Sequence, residues 1–248
     1  MNLNSISHVI AGAVTFAPMA ASAAVVYQEV GGVVAFEAEG YSSKSAPYVQ
    51  DSNSFEWVLK NSADAGSIPD ASGGSYMQVL PDVGVNHNNA TTGNINYLYA
   101  GPSISYDFLI STEGQYTFFV RGAAGAGLAN SEVINAKVFR IDEAGNVLEE
   151  IGAKEGAGVT TMSTTQTFQT DNWNVIFTPP TLENGEYYRL TIYMRHDGAA
   201  IDKIAGLINP VATIPSGEGP EVSPPVPEPT AAGLIGLAAL GLARRRRA

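Results

Sequence analysis

YYRLTIYMR, residues 187–195, alternates between two faces: Tyr188, Leu190, Ile192 and Met194 fall on one side of an extended chain, with Arg189, Thr191 and Tyr193 on the other. Side chains of a strand point alternately to opposite faces, so a period of two predicts a strand with one buried face. GQYTFFVR, residues 114–121, repeats the pattern with Tyr116, Phe118 and Val120 on one side. Further strands are expected over residues 25–30, 33–39, 76–80, 104–110, 133–141, 173–177 and 200–207. They are separated by the turn pairs Gly31-Gly32, Gly73-Gly74, Glu113-Gly114, Gly145-Asn146 and Asn184-Gly185. No amphipathic helical period of ten or more residues interrupts them. Many short strands with polar turns imply an all-β sandwich or barrel. Residues 41–75 and 86–96 are expected as long loops over it, where binding residues usually sit.

Working outward, both ends of the chain look like addresses. Residues 1–24 contain no Lys, Arg, Asp or Glu, and an apolar run from Val9 to Met19 leads to Ala21-Ser22-Ala23. This is the pattern of a secretory signal peptide over residues 1–23. At the other end, residues 210–229 hold seven of the fourteen prolines, which predicts an extended, disordered linker over 210–226. The tail, residues 227–248, comprises Pro227-Glu228-Pro229, an apolar run over 230–243, and Arg244 to Arg247. A helix over 230–243 rises about 21 Å, short of a hydrocarbon core of about 30 Å. It can enter a membrane only as a marginal anchor, with the arginines on the cytoplasmic side. The folded domain is thereby bounded to residues 24–209.

Composition narrows the function. The 248-residue chain has no cysteine and a net charge of −11, and residues 24–226 carry 23 acids against 9 bases, a net of −14. Without cysteine, disulfides and thiolate metal sites are excluded. A surface this acidic repels phosphate backbones, so nucleic acid is not an expected partner. There is no G-x-S-x-G, H-E-x-x-H or P-loop motif, so no catalytic residues are assigned.

VVAFEAE, residues 33–39, places Glu37 and Glu39 on the face opposite Val34 and Phe36. Carboxylates two apart on a strand lie about 7 Å from each other. Asp202 shares a strand face with Ala200 and Ile204, where burial would demand a partner. Spacing alone leaves two readings open: solvated carboxylates, or a hard cation held by oxygen ligands. His87 and His196 have no local spacing of a zinc site. For a sugar ligand, Trp57 is the expected stacking platform, with Asn86, Asn88 and Arg195 as polar contacts. The competing reading of Trp57 is core, because Phe55, Trp57 and Leu59 alternate.

VPEPTAAGLIGLAALGLARRRRA, residues 226–248, resembles the PEP-CTERM sorting signal in its motif, short apolar helix and basic terminus. This resemblance implies a Gram-negative bacterium, export, and processing by an exosortase-type membrane protease. VYQEVGGVVAFEAEGY (residues 26–41), GSYMQVLPD (74–82), Gly114-x-Tyr116 with Arg121-Gly122, Trp173, and YMRHDG (193–198) followed by IDKI (201–204) occur in an order similar to carbohydrate-binding module families 6 and 35. That resemblance implies a galactose-binding-like jelly-roll β-sandwich and structural calcium at Glu37, Glu39 and Asp202. Together they imply a non-catalytic surface or matrix protein that binds extracellular polysaccharide. The alternatives are a structural biofilm protein without sugar binding, or a polysaccharide-active enzyme.

Overall fold

The computed structural model describes residues 25–87, 98–125, 133–153, 160–161, 167–168, 173–209 and 213–227. The expected signal peptide, Asn88, Glu228, Pro229 and the apolar tail lie outside these residues. Among the described residues no helix is long and apolar enough to cross a membrane.

The strands in chain order are β1 (Val26–Gln28), β2 (Val33–Glu37), β3 (Ser43–Lys44), β4 (Tyr48–Gln50), β5 (Asn53–Asn61), β6 (Ser75–Leu80), β7 (Ser103–Leu109), β8 (Tyr116–Ala123), β9 (Val133–Ile141), β10 (Val147–Ala153), β11 (Thr160–Thr161), β12 (Trp173–Phe177), β13 (Tyr187–Met194) and β14 (Ala200–Ile208). They form two sheets. The first runs β1-β7-β13-β9-β10, with β3 also on β7 and β11 also on β9. The second runs β12-β8-β14-β6-β5-β4, with β2 also on β14. From β6 to β9 the chain changes sheet at every step, and it does so again from β12 to β14. This is the winding of a jelly roll. The all-β sandwich expected from the alternating stretches is the fold the chain adopts.

The two deciding stretches take up central positions. β13 lies between β7 and β9, antiparallel to both, and β8 lies between β12 and β14, antiparallel to both. Tyr188, Leu190, Ile192 and Met194 point into the core with Phe36, Phe55, Trp57, Tyr106, Phe108 and Phe118. Phe36 stacks on Tyr106 at 5.2 Å and Phe108 on Tyr188 at 5.9 Å. Full burial of each such side chain contributes about 1.5–3 kcal/mol. Two tyrosine hydroxyls at this core are satisfied: Tyr106 donates to the Ala38 carbonyl at 2.8 Å and Tyr27 to that of Gly40 at 2.7 Å.

Three expectations are corrected. Residues 41–75 hold β3, β4 and the nine-residue β5. Only Phe55 and Trp57 of β5 are buried, so its outward polar residues give the stretch a loop's composition. The strand expected over 33–39 stops at Glu37, and Glu39 falls in a 3-10 turn over Ala38–Gly40. The third concerns the proline-rich stretch, which is extended as expected but packed on the domain over 213–227. Ala35, Phe119, Trp173 and Ala205 form an apolar cluster on the outer face of the second sheet. The stretch lies over it: Trp173 donates from its indole nitrogen to the Gly217 carbonyl at 3.1 Å. The backbone nitrogen of Ser223 donates to the Ala35 carbonyl, and its hydroxyl accepts from the Ala35 nitrogen, both at 3.0 Å. Tyr27 and Pro225 then pair antiparallel across the free edge of β1.

Candidate functional site

At one end of the sandwich the β13–β14 connection, residues 195–199, meets the loop that follows β6. Asp197 shapes the meeting, accepting from the Val83 nitrogen at 2.5 Å and the Gly84 nitrogen at 3.2 Å. Gly198 has a φ of +78°, and a Cβ there would run into the Asp82 carboxyl group. Glycine is therefore needed both for the left-handed backbone and for the close approach. The His87 nitrogen donates to the Arg195 carbonyl at 2.7 Å, and Asn86 bridges to His196. The two histidines that lie far apart in the sequence are thus brought onto adjacent backbones.

His87 and His196 are buried, at 0% and 4% exposure. Their pKa values fall to about 4, for His87 through burial and for His196 through burial first and then Arg195 and His87. Both are neutral at pH 7, and a neutral imidazole offers one donor and one acceptor. His87 Nε2 lies 2.8 Å from Gln50 Oε1, and Tyr48 packs edge-on against the ring at 5.2 Å. Around them Asn86 Oδ1, Asn135 Oδ1, Arg195 Nε and Nη1, and both ring nitrogens of His196 are buried without a hydrogen-bond partner among the described residues. Buried polar groups are normally paired, so a cluster of open donors and acceptors in one place asks for a ligand.

The sugar contacts expected from the sequence divide accordingly. Asn86 and Arg195 are in this cluster, and Asn88 lies outside the described residues. Trp57 is not there. It is fully buried between the sheets and donates from its indole nitrogen to the Pro102 carbonyl at 3.0 Å. A buried ring with its one donor satisfied presents no face for stacking, so the platform reading of Trp57 is overturned. Tyr48, Gln50, Asn135 and His196 were not assigned to sugar contact from the sequence. The available signal was the reach of Asn135 and His196 beside strand ends, which carries weight only once the strands are paired.

Glu37, Glu39 and Asp202 gather at a second place, beside the 3-10 turn Ser72–Gly74. The Ser72 hydroxyl donates to Glu37 at 3.0 Å and its backbone nitrogen donates to Asp202 at 2.8 Å. Two cations of the chain are built in: Arg121 pairs with Asp202 at 2.5 Å and Lys203 with Glu37 at 3.0 Å. Burial raises the Asp202 carboxyl to about 7 in spite of Arg121, and burial also raises Glu39. Both oxygens of Asp202 already accept from the chain, whereas Glu37 Oε2 and Glu39 Oε2 are buried with no hydrogen-bond partner among the described residues. Carboxylate oxygens are the type of ligand a hard cation takes. Among the described residues no group of three His, Cys, Asp or Glu is placed to hold a metal ion.

A recess of about 320 Å³ lies elsewhere, lined by Val26, Asp107, Asp142, Glu143, Tyr187 and Arg189. Its main charges are matched, since Arg189 grips Asp107 through two hydrogen bonds of 2.6 and 2.7 Å.

The fold and site define a jelly-roll sandwich with a cluster of buried, unpaired polar atoms at one rim. Residues 225–247 match the PEP-CTERM protein-sorting motif, a signal for export and surface association in Gram-negative bacteria. No curated protein matches the chain. Among solved structures it is similar to the C-terminal CBM6 of LamC, a marine laminarinase from Zobellia galactanivorans (15% identity, 71% of this chain and 98% of that chain, TM-score 0.37). It is also similar to a family 35 carbohydrate-binding module from Clostridium thermocellum (15% identity, 70% and 96%, TM-score 0.36). A third is the Podospora anserina GH26-CBM35 β-(1,4)-mannanase (14% identity, 73% and 29%, TM-score 0.35).

Proposed function

We propose that this is an exported, non-catalytic surface or matrix protein that binds extracellular polysaccharide at the rim formed by Gln50, Asn86, Arg195 and His196. The observation that carries this reading is the set of buried, unsatisfied donors and acceptors on Asn86, Asn135, Arg195 and His196. Neutral hydroxyls suit such a mixture, because each can donate to one group and accept from another. Tyr48, at the edge of the same cluster, takes the aromatic role first expected of Trp57. Removal of residues 1–23 and cleavage at the Pro227-Glu228-Pro229 motif by an exosortase-type membrane protease complete the route. Residues 230–243 hold the inner membrane until that cleavage.

Calcium remains part of the proposal in a narrower form. Glu37 and Glu39 would hold it, with backbone carbonyls filling the shell, and its contribution is to engage the two Oε2 atoms left unpaired beside the Lys203–Glu37 pair.

Retention of the exported protein on a panel of immobilised polysaccharides tests the reading. At least one glycan should retain the wild type and fail to retain Arg195→Ala. A wild type that no polysaccharide retains favours the structural surface protein instead, and release of reducing ends or unsaturated products from the panel favours an enzyme.

A further inference from the structure

The segment recognised as a sorting motif and the segment paired with the folded domain overlap. The motif begins at Pro225. Pro225 is paired with Tyr27, the Val226 nitrogen donates to the Val26 carbonyl at 2.7 Å, and the Gln28 nitrogen donates to the Pro224 carbonyl at 2.8 Å. Upstream, Ser223 is fastened to Ala35 by two hydrogen bonds and is 6% exposed. Further back, Gly219 has a φ of +76°, and a Cβ there would overlap the Trp173 indole. Hence the stretch is fixed at three separate points, on β12, β2 and β1.

We propose that residues 213–227 are a strap that clamps the sorting motif to the β1 edge, and that sorting cleavage acts on chains whose strap has been released. This inference rests on the reading that the tail is cut by a membrane protease. A protease bound at Pro227-Glu228-Pro229 must draw an extended, unpaired segment into its own site, and the residues immediately before the motif are bridged to the β1 edge. Prolines have no N–H to donate, so Val226 is the residue among 224–227 whose nitrogen holds the edge. The clamp is therefore weak enough to open locally, as short, edge-bound segments do.

The test follows conversion of the full-length chain to its processed form by pulse-chase in exporting cells. Gly219→Val displaces the strap from Trp173, and Ser223→Pro removes the Ser223 donor to Ala35. Each should speed conversion about fivefold, corresponding to about 1 kcal/mol of lost clamping. Thermal melting of the purified variants shows whether the domain itself still folds. An independent arm uses Val26→Cys with Val226→Cys. Directly opposed strand residues lie within disulfide reach, and the cross-link should stall conversion until reductant is added. Release variants that convert at the wild-type rate in a folded domain, or a cross-linked chain that converts normally, overturn the clamp. A wild type that is never processed overturns the cleavage reading, and the clamp with it.

Discussion

Arg121 and Asp202 form an ion pair sealed inside the second sheet, with side chains 3% and 0% exposed. Arg121 also donates to the Phe168 carbonyl, and Asp202 also accepts from Ser72. Breaking such a pair leaves one charge buried without compensation, at a cost of about 3–5 kcal/mol. Arg121→Met should lower the unfolding free energy by that amount in urea. The double variant Arg121→Met with Asp202→Leu should recover part of the loss. A double variant no more stable than the single would show that the pair's charge compensation is not what matters.

Trp57 and Arg195 should separate stability from binding. Trp57→Ala empties a fully buried site and should cost about 3–5 kcal/mol, whatever glycan is present. Arg195→Ala, at the partly buried rim, removes unpaired guanidinium nitrogens and should leave the melting temperature nearly unchanged while abolishing retention on the polysaccharide that holds the wild type. Melting and retention measured on the same preparations decide the assignment.

The two buried histidines should weaken the fold as the medium becomes acidic. His87 and His196 have pKa values of about 4 in the folded protein against 6.5 ordinarily. Below pH 6.5 the unfolded chain therefore binds protons that the folded chain refuses. Stability is lost as pH falls from 6.5 towards 4, by up to about 3 kcal/mol for each imidazole. Arg195 and Tyr48 face the same cluster, and Asp202, Asp197 and Glu39, all raised by burial, act in the opposite direction, so the test compares variant with wild type. His196→Asn should flatten the pH dependence of unfolding between 6.5 and 4. An identical slope in the variant would remove His196 from this account.

Calcium is expected to raise the melting temperature. A cation that binds only the folded state at a hundred times its dissociation constant adds about 2.7 kcal/mol. EDTA should reverse the rise, and the double variant Glu37→Gln with Glu39→Gln should not respond to either reagent. A wild-type melting curve that is the same in calcium and in EDTA would falsify the cation proposal.

The strands of the core were legible because apolar residues alternate in them without interruption, as in residues 187–195. β5 was not, because Leu59 is exposed and the polar residues around Phe55 and Trp57 read as loop. That is also why Trp57 looked like a binding residue. The carboxylates Glu37, Glu39 and Asp202 were recognised as needing compensation. The supply of that compensation by Arg121 and Lys203 depends on which strands are neighbours, a property of pairing rather than of local spacing. Lys203 lies opposite Glu37 on β2 and opposite Arg121 on β8. At the rim, Asn86 and Arg195 were singled out one at a time, but their meeting with His196 exists only once the loop after β6 docks on the β13–β14 connection. Proline content was a sound guide to extended backbone in residues 213–227 and a poor guide to disorder, since Ser223, Val226 and Gly217 supply the polar groups that fasten it.

Val26 and Val226 leave the sandwich side by side. A unit whose ends coincide can be spliced into a single loop of a host protein with little distortion of either. It can also be closed head to tail and reopened elsewhere, for example at the exposed Asn184-Gly185 turn between β12 and β13. The domain is thus a cassette, transferable between chains with its rim intact.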